Sequence, residues 1–299
     1  MEHDGRYRRM EEFIDVCQRL WRSVAPDAFI WDNDSGMVAD PSKIHSIDHV
    51  GEFFQVKGPL NSTPSPQHAP VLIQAGGSPR GISASSKFAD IVFAGAFKNE
   101  HRAAHRESLD EALRLQGRDP ESVGILWDLE LIVGQTSEEA RHRKQQLEVL
   151  LPPEAAAAQV SHNTGLDMKK LPAKFTLEEL REEVIAKNAS PMAFRDLIAE
   201  KGADYEMTKD ELFETVWRAA TGHDHTVAGS AEEVADYLEE AYESSGSRGG
   251  FMIAHPQVTP RDLIDVVGFL IPELRRRGRF RTEYEGTTLR DTLGLPAFA

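Results

Sequence analysis

The feature that most constrains this chain is an alternation of short apolar runs with amphipathic stretches. Its first clear unit is Val71-Leu72-Ile73-Gln74-Ala75-Gly76-Gly77-Ser78-Pro79-Arg80-Gly81. Val71 to Ile73 reads as a strand buried on both faces, and Ile82 to Phe88 as a helix. Ile91-Val92-Phe93-Ala94 is a second apolar run. A helix follows from Glu100 to Gln116, with Leu109, Ala112 and Leu113 on one face and Gly117 as its stop. Gly124 to Val133 is a third strand, and Thr136 with Glu139 caps a helix from Ser137 to Leu151. Gly249-Gly250 leads into a fourth strand, Phe251-Met252-Ile253-Ala254. Thr259-Pro260 then opens a helix with Leu263, Val266, Val267, Leu270 and Leu274 inward. Strands alternating with helices imply an α/β fold with parallel pairing and right-handed crossovers. Four such units are half of an eightfold barrel or a small open sheet, and the pattern leaves both open.

The remaining stretches are less regular. Met10, Phe13, Ile14, Cys17, Leu20 and Trp21 recur at helical spacing near the start. Residues 23–69 have no sustained period; a small hairpin is expected near Phe53 to Val56, and Phe29, Trp31, Phe53 and Phe54 imply that this excursion packs on something. Pro152-Pro153 opens a helical insertion, residues 152–225, with capping boxes at Thr176/Glu179 and Thr208/Glu211 and an N-cap at Ser190-Pro191. Gly222-His223-Asp224-His225 is a loop. Ser230 with Glu233 caps a helix whose inner face is Val234, Tyr237, Leu238 and Ala241. Residues 279–299 have no clear period and are expected to wrap the surface. No internal repeat beyond the alternation is apparent.

Composition excludes several classes. Lys and Arg number 34 against 49 Asp and Glu, a net charge of −15. That disfavours a general binder of nucleic acid or anionic membrane. Cys17 is the single cysteine, so no intrachain disulfide or cysteine-based zinc site forms, and a reducing cytoplasm fits. There is no run of about 18 apolar residues for a membrane span, and the first residues are too polar for a secretory signal.

The Gly76-Gly77-Ser78 turn has two readings. A glycine-rich turn between a strand and a helix N-terminus exposes N–H groups in front of the positive end of the helix dipole, a cradle for phosphate. Ser78 would add a hydroxyl and Arg80 a charge. Alternatively, the turn is a tight connection that needs glycine for positive φ.

Four stretches then carry a resemblance. They are His3-Asp4-Gly5-Arg6-Tyr7 with the helix to Leu20-Trp21; Ala39-Asp40-Pro41 through His45, Asp48-His49 and Gly58-Pro59-Leu60-Asn61; Ser65-Pro66-Gln67 through Gln74-Ala75-Gly76-Gly77-Ser78; and Arg277-Gly278 through Arg281-Thr282-Glu283-Tyr284-Glu285-Gly286 to Leu289-Arg290 and Leu293-Gly294-Leu295. Together they resemble the bacterial-luciferase-like, flavin-dependent monooxygenases, in the branch of nitrilotriacetate monooxygenase component A and dibenzothiophene-sulfone monooxygenase. The resemblance implies a (β/α)8 TIM-type barrel and reduced FMN (FMNH2) supplied by a separate NAD(P)H-dependent flavin reductase. It also implies oxygenation of a small organic substrate by O2. Carried over residue by residue, it implies that His3, Tyr7, Gly77 and Ser78 bind the FMN phosphate. Gly77 stands where the family usually has serine, so one hydroxyl is lost. The resemblance starts in the middle of the family's barrel, so the four strands would be its C-terminal half, about four βα units plus the insertion, in a single partial domain over residues 1–299. Open apolar edges would then favour a homo-oligomer. The insertion is expected to act as a lid.

No catalytic residue and no metal site is assigned. His101 and His105 stand one helical turn apart, but Arg102, Arg106 and Glu107 suggest a solvated face. His223-Asp224-His225 lacks a third ligand. His45, Asp48 and His49 read as structural, and Arg275-Arg276-Arg277 as a helix C-terminus. The alternatives to an oxygenase are a non-catalytic flavin- or phosphate-binding remnant that dimerises, and an unrelated phosphate-binding barrel. The latter would want a reactive lysine or paired carboxylates at strand ends.

Overall fold

The structure is a computed structural model that describes residues 3–96, 98–150, 152–186, 194–220, 225–253, 259–296 and 298. In order the elements are α1 (His3–Arg22), β1 (Phe29–Asp32), β2 (Met37–Ala39), β3 (His49–Val50), β4 (Gln55–Val56), β5 (Ile73–Ala75), α2 (Pro79–Phe88), β6 (Ile91–Gly95), α3 (Asn99–Leu115), β7 (Gly124–Leu129), β8 (Leu131–Gly134) and α4 (Ser137–Glu148). Then come α5 (Pro153–Thr164), β9 (Lys174–Thr176), α6 (Leu177–Ala186), α7 (Arg195–Lys201), β10 (Glu206–Thr208), α8 (Lys209–Ala220), β11 (Val227–Ser230), α9 (Ala231–Ser244), β12 (Gly249–Ile253), α10 (Pro260–Asp265), a π-helical turn (Val266–Leu270), α11 (Ile271–Arg276) and α12 (Leu289–Thr292). They form two compact units. One comprises Met1–Asp128, Glu239–Met252 and Arg281–Ala299, the other Leu129–Leu238 and Ile253–Phe280.

The first unit is built on a four-stranded sheet in the order β12-β7-β6-β5. β5, β6 and β7 run parallel, with Ile73 opposite Ile91 and Ile91 opposite Gly124. This is the parallel α/β sheet that the alternation implied. Val92, Ile125 and Trp127 pack with Leu109 and Leu113 of α3. β5 and β12 stand at the two ends of the sheet, where open edges were expected. β5 begins two residues later than the apolar run, and Ile73 is 56% exposed. Ile73 and Ala75 are exposed and Gln74 is half-buried, so β5 is not buried on both faces as expected. Gly249 has φ +100°, and a Cβ there would lie 2.0 Å from the Ile125 carbonyl oxygen, so β7 and β12 meet backbone to backbone.

Residues 23–69 hold two hairpins. β3 and β4 form the expected one, and β1 with β2 forms a second that shows no period in the sequence. Phe54 packs on Phe13, whereas Trp31 stacks on its neighbour Phe29 and is 61% exposed. His49 ties the excursion to α1. An arginine can only donate, so Arg19 donates to Nδ1 at 2.9 Å, and Nε2 carries the proton that bonds Glu12 at 3.0 Å. His49 thus bridges two residues of α1, Glu12 and Arg19.

α3 corrects one expectation. Arg102 and Arg106 are buried on the same stripe as Leu109 and Leu113, not solvated. Arg106 donates to the Val123 carbonyl at 2.8 Å and pairs with Asp110, which also takes Arg248 at 3.0 Å. Burial pushes the Arg106 pKa below the usual arginine range. His101 is exposed, while His105 meets the edge of Trp127 with ring centroids 5.6 Å apart.

In the second unit, β8 pairs in parallel with β11, Leu131 opposite Val227. The expected third strand is therefore two strands, broken at Glu130, and β11 was not foreseen. An eightfold barrel, or its C-terminal half, is not what the described strands form by themselves. They make one four-stranded and one two-stranded sheet with parallel pairs, besides three antiparallel ribbons. The helix after Thr259 presents Asp262, Asp265, Val266, Leu270 and Leu274 inward, while Leu263 and Val267 are exposed. Arg143 of α4 decides this, because it bonds Asp265 at 2.6 Å, Asp262, and the Val133 carbonyl at 3.1 Å.

The insertion contains an unforeseen repeat. β9 followed by α6 and β10 followed by α8 are the same strand–cap–helix unit, 32 residues apart. β9 and β10 pair antiparallel about Phe175 and Met207. Thr176 and Thr208 cap through Glu179 and Glu211. Phe175, Leu180 and Val184 match Met207, Leu212 and Val216 in one core. Ser190-Pro191, His223 and Asp224 lie outside the described residues. The tail is largely exposed and is anchored through Arg290. Arg290, 5% exposed, grips both oxygens of Asp90 at 2.9 and 3.0 Å.

Among the described residues, no helix is long and apolar enough to cross a membrane, and no group of three His, Cys, Asp or Glu could hold a metal ion.

Candidate functional site

The first unit contains the whole Gly76–Ser78 turn and α1. β5 ends at Ala75, and α2 starts at Pro79 with Ser78 as its N-cap. The helix begins earlier than periodicity indicated, because Pro at the first helical position presets φ and needs no N–H partner. Ser78 Oγ accepts the Gly81 N–H at 3.1 Å, which leaves its own hydroxyl proton to donate.

Neither Gly76 nor Gly77 has positive φ, so the conformational reason expected for glycine does not hold. The reason at Gly76 is close approach. A Cβ there would lie 3.1 Å from Gly81 Cα. At Gly77 a Cβ would meet nothing within 4 Å, so the space over the turn is open. Pro79 carries no N–H and the Gly81 N–H is bonded to Ser78 Oγ, so what the turn can offer an anion is the Ser78 hydroxyl proton and the amides of Gly77, Ser78 and Arg80.

Tyr7 comes to the same place from α1. The Arg80 guanidinium lies 4.8 Å from the Tyr7 ring centroid. Arg80 also donates to Glu11 at 2.5 Å, and Lys87 reaches the other Glu11 oxygen at 2.8 Å. Burial works to raise the Glu11 pKa, but the bonds from Arg80 and Lys87 outweigh it and hold the carboxyl below its ordinary range. The bond to Glu11 in turn holds Arg80 above the usual arginine range. Arg80 is therefore turned onto α1 instead of standing as a loose charge for an anion. His3 begins α1, and its side chain lies outside what the structure describes. Tyr7, Gly77 and Ser78 thus lie in one unit, and Tyr7 is linked to the start of α2 through Arg80.

Sequence reasoning missed the groups that hold this arrangement. Glu11 is one turn from Tyr7, and Lys87 is two turns from Arg80, so helical spacing carried a signal. Asp90 and Arg290 carried none, being 200 residues apart. The Asp90 carboxylate accepts the Leu72 N–H at 2.9 Å just before β5. Gln67 Oε1 accepts the Arg290 N–H at 3.4 Å.

The class that fold and site define is a parallel α/β sheet whose strand β5 passes through an open glycine turn into a serine-capped helix. Residues 1–249 match the family model described as luciferase-like monooxygenase. The chain is 34% identical over 295 residues to dibenzothiophene-sulfone monooxygenase of Rhodococcus erythropolis, and 34% over 297 residues to nitrilotriacetate monooxygenase component A of Aminobacter aminovorans. Each match covers 99% of this chain and 64% of the relative, so the chain spans just under two thirds of their length. A solved riboflavin lyase, with modified FMN and riboflavin, superposes with a TM-score of 0.80 at 28% identity, over 100% of this chain and 64% of that one. The chain belongs to the luciferase-like monooxygenase family.

Proposed function

We propose that this chain takes part in an FMNH2-dependent monooxygenation of a small organic substrate. Its own part is to seat the flavin phosphate on the Gly76–Ser78 turn. The observation that carries this is the turn itself, open above Gly77, capped by Ser78 and flanked by Tyr7. Tyr7 and Ser78 would donate hydroxyls, Gly77 its amide, and His3 a ring N–H. Bound reduced flavin would supply the activation of O2, while the protein supplies position and electrostatics. A separate NAD(P)H-dependent reductase would deliver the flavin. The four-stranded sheet is a sector of a (β/α)8-type barrel in this reading, and the insertion its lid.

One observation favours association with a second copy. Ile73 at one sheet edge and Met252 and Ile253 at the other are exposed, and unpaired apolar edges recruit strands. A non-catalytic, phosphate-binding dimer is the second reading.

The test is an FMN titration of the chain followed by flavin fluorescence, with mass by light scattering on the same sample. Tyr7→Phe and His3→Ala should each weaken FMN by about 1.5–3 kcal/mol, the range for a hydrogen bond to a charged group. Unchanged affinity in both removes those residues from the site. Binding without turnover when reductase is added favours the second reading.

A further inference from the structure

Tyr7 and Glu11 stand one turn apart on α1, while Arg80, Ala84 and Lys87 lie on one face of α2. Ala84, on that face between Arg80 and Lys87, is fully buried. Glu11 then sits between two cations, with one oxygen on Arg80 and the other on Lys87. Arg80 completes the series by covering the Tyr7 ring. Lys87, Glu11, Arg80 and Tyr7 form a continuous chain that ends on an aromatic ring. The Glu11 and Arg80 side chains are 19% and 25% exposed, which screens the contacts only in part.

We infer that Arg80 is a positioning residue: it fixes the Tyr7 ring so that the hydroxyl meets an anionic group seated on the Gly76–Ser78 turn. This rests on the flavin-phosphate reading. A tyrosine in the second turn of a helix, as Tyr7 is in α1, still has more than one staggered rotamer. A cation on its face selects one, and the attraction grows as water is excluded. The cation itself must be held, and Glu11 holds it. Because Glu11 compensates its charge, Arg80 adds little direct pull on a phosphate. Lysine at this position keeps the charge but loses the flat stack on the ring.

The experiment compares FMN with riboflavin, which lacks the phosphate, in titrations of the full chain by flavin fluorescence. The variants are Arg80→Gln, Arg80→Lys and Glu11→Gln, each with a thermal unfolding curve. Arg80→Gln should lose about tenfold in FMN affinity, as expected for a misplaced hydrogen bond to a charged group, with riboflavin unchanged. Arg80→Lys should recover part of the loss. Glu11→Gln should weaken FMN as well, because it releases the arginine from the ring. Tighter FMN binding by Glu11→Gln would overturn the inference, since the freed arginine would then be a direct phosphate ligand. Equal loss for both flavins in Arg80→Gln, or no loss, would also overturn it. If the unaltered chain binds both flavins equally, the phosphate reading fails and the inference with it. A chain that prefers FMN, with Arg80→Gln preferring it as strongly, sinks the inference alone.

Discussion

Two neighbouring glycines should respond to the same substitution in opposite ways. At Gly77 the added methyl meets nothing within 4 Å, and φ is not in the left-handed region. Alanine there should stabilise the chain by about 0.5 kcal/mol through the unfolded state. At Gly76 the methyl would sit 3.1 Å from Gly81 Cα and 3.5 Å from its carbonyl carbon. That neighbour is backbone in the first turn of α2, and the Ser78 cap holds it at 3.1 Å. Relief requires the turn to open and the cap to stretch. Overpacking costs about 1–3 kcal/mol, and the unfolded-state gain of about 0.5 offsets little of it. The two variants should therefore differ by about 2 kcal/mol in urea unfolding at equal slope. Ligand binding should divide differently. Gly77→Ala places a methyl in the space proposed for the phosphate, so this more stable variant should bind FMN more weakly. Gly76→Ala as stable as Gly77→Ala would refute the close-approach argument. Destabilisation by Gly77→Ala would refute the open space.

Two further predictions concern the second unit. Arg143→Met strips the shared cation from Asp262 and Asp265, both buried, and should cost about 3–5 kcal/mol in urea unfolding, the range for breaking a buried pair; a loss under 1 kcal/mol would mean that water or Arg261 replaces it. Glu273 is held at a pKa of about 2 by hydrogen bonds from Arg276 and then Arg277, against an ordinary 4.5. A lowered pKa stabilises the fold fully above about pH 4.5, and that contribution is lost as pH falls from there toward 2. Glu273→Gln should flatten this part of the stability–pH curve, and an unchanged slope would count against the pairing.

How much of this was legible follows from the range of the interactions. Helices α1, α2 and α3 and the caps at Thr136, Thr176, Thr208 and Ser230 rest on contacts within a turn or two, so spacing reveals them. β11 pairs with β8 some hundred residues earlier, and four residues containing a Gly and a Ser give no apolar run. The inward face of α10 was misassigned because Arg143, 119 and 122 residues away, makes two aspartates the buried residues and leaves leucine and valine outside. The same holds for Arg102 and Arg106 in α3. Periodicity assumes that the buried stripe is apolar, and a paired charge breaks that assumption. The repeat in the insertion does show in residue types, since Thr176, Glu179, Leu180, Glu182 and Val184 recur as Thr208, Glu211, Leu212, Glu214 and Val216, but with two copies it becomes recognisable only from the pairing of β9 with β10.

The candidate site shows the same division, with one consequence for where its stability comes from. The turn could be read from six consecutive residues. What holds it could not, since Glu11 and Arg80 are 69 residues apart and Asp90 and Arg290 are 200. The Arg290 guanidinium is bidentate to Asp90, and Asp90 fixes the Leu72 N–H immediately before β5. Bidentate arginine–carboxylate geometry sets orientation as well as energy. The strand that leads into the turn is therefore positioned from residue 290, and the helix that leaves it is positioned from residues 7 and 11. A short glycine turn has little rigidity of its own. Its geometry comes from both sides, which explains why Gln67, the turn, and Leu289-Arg290 belong to one resemblance although they lie far apart in the chain.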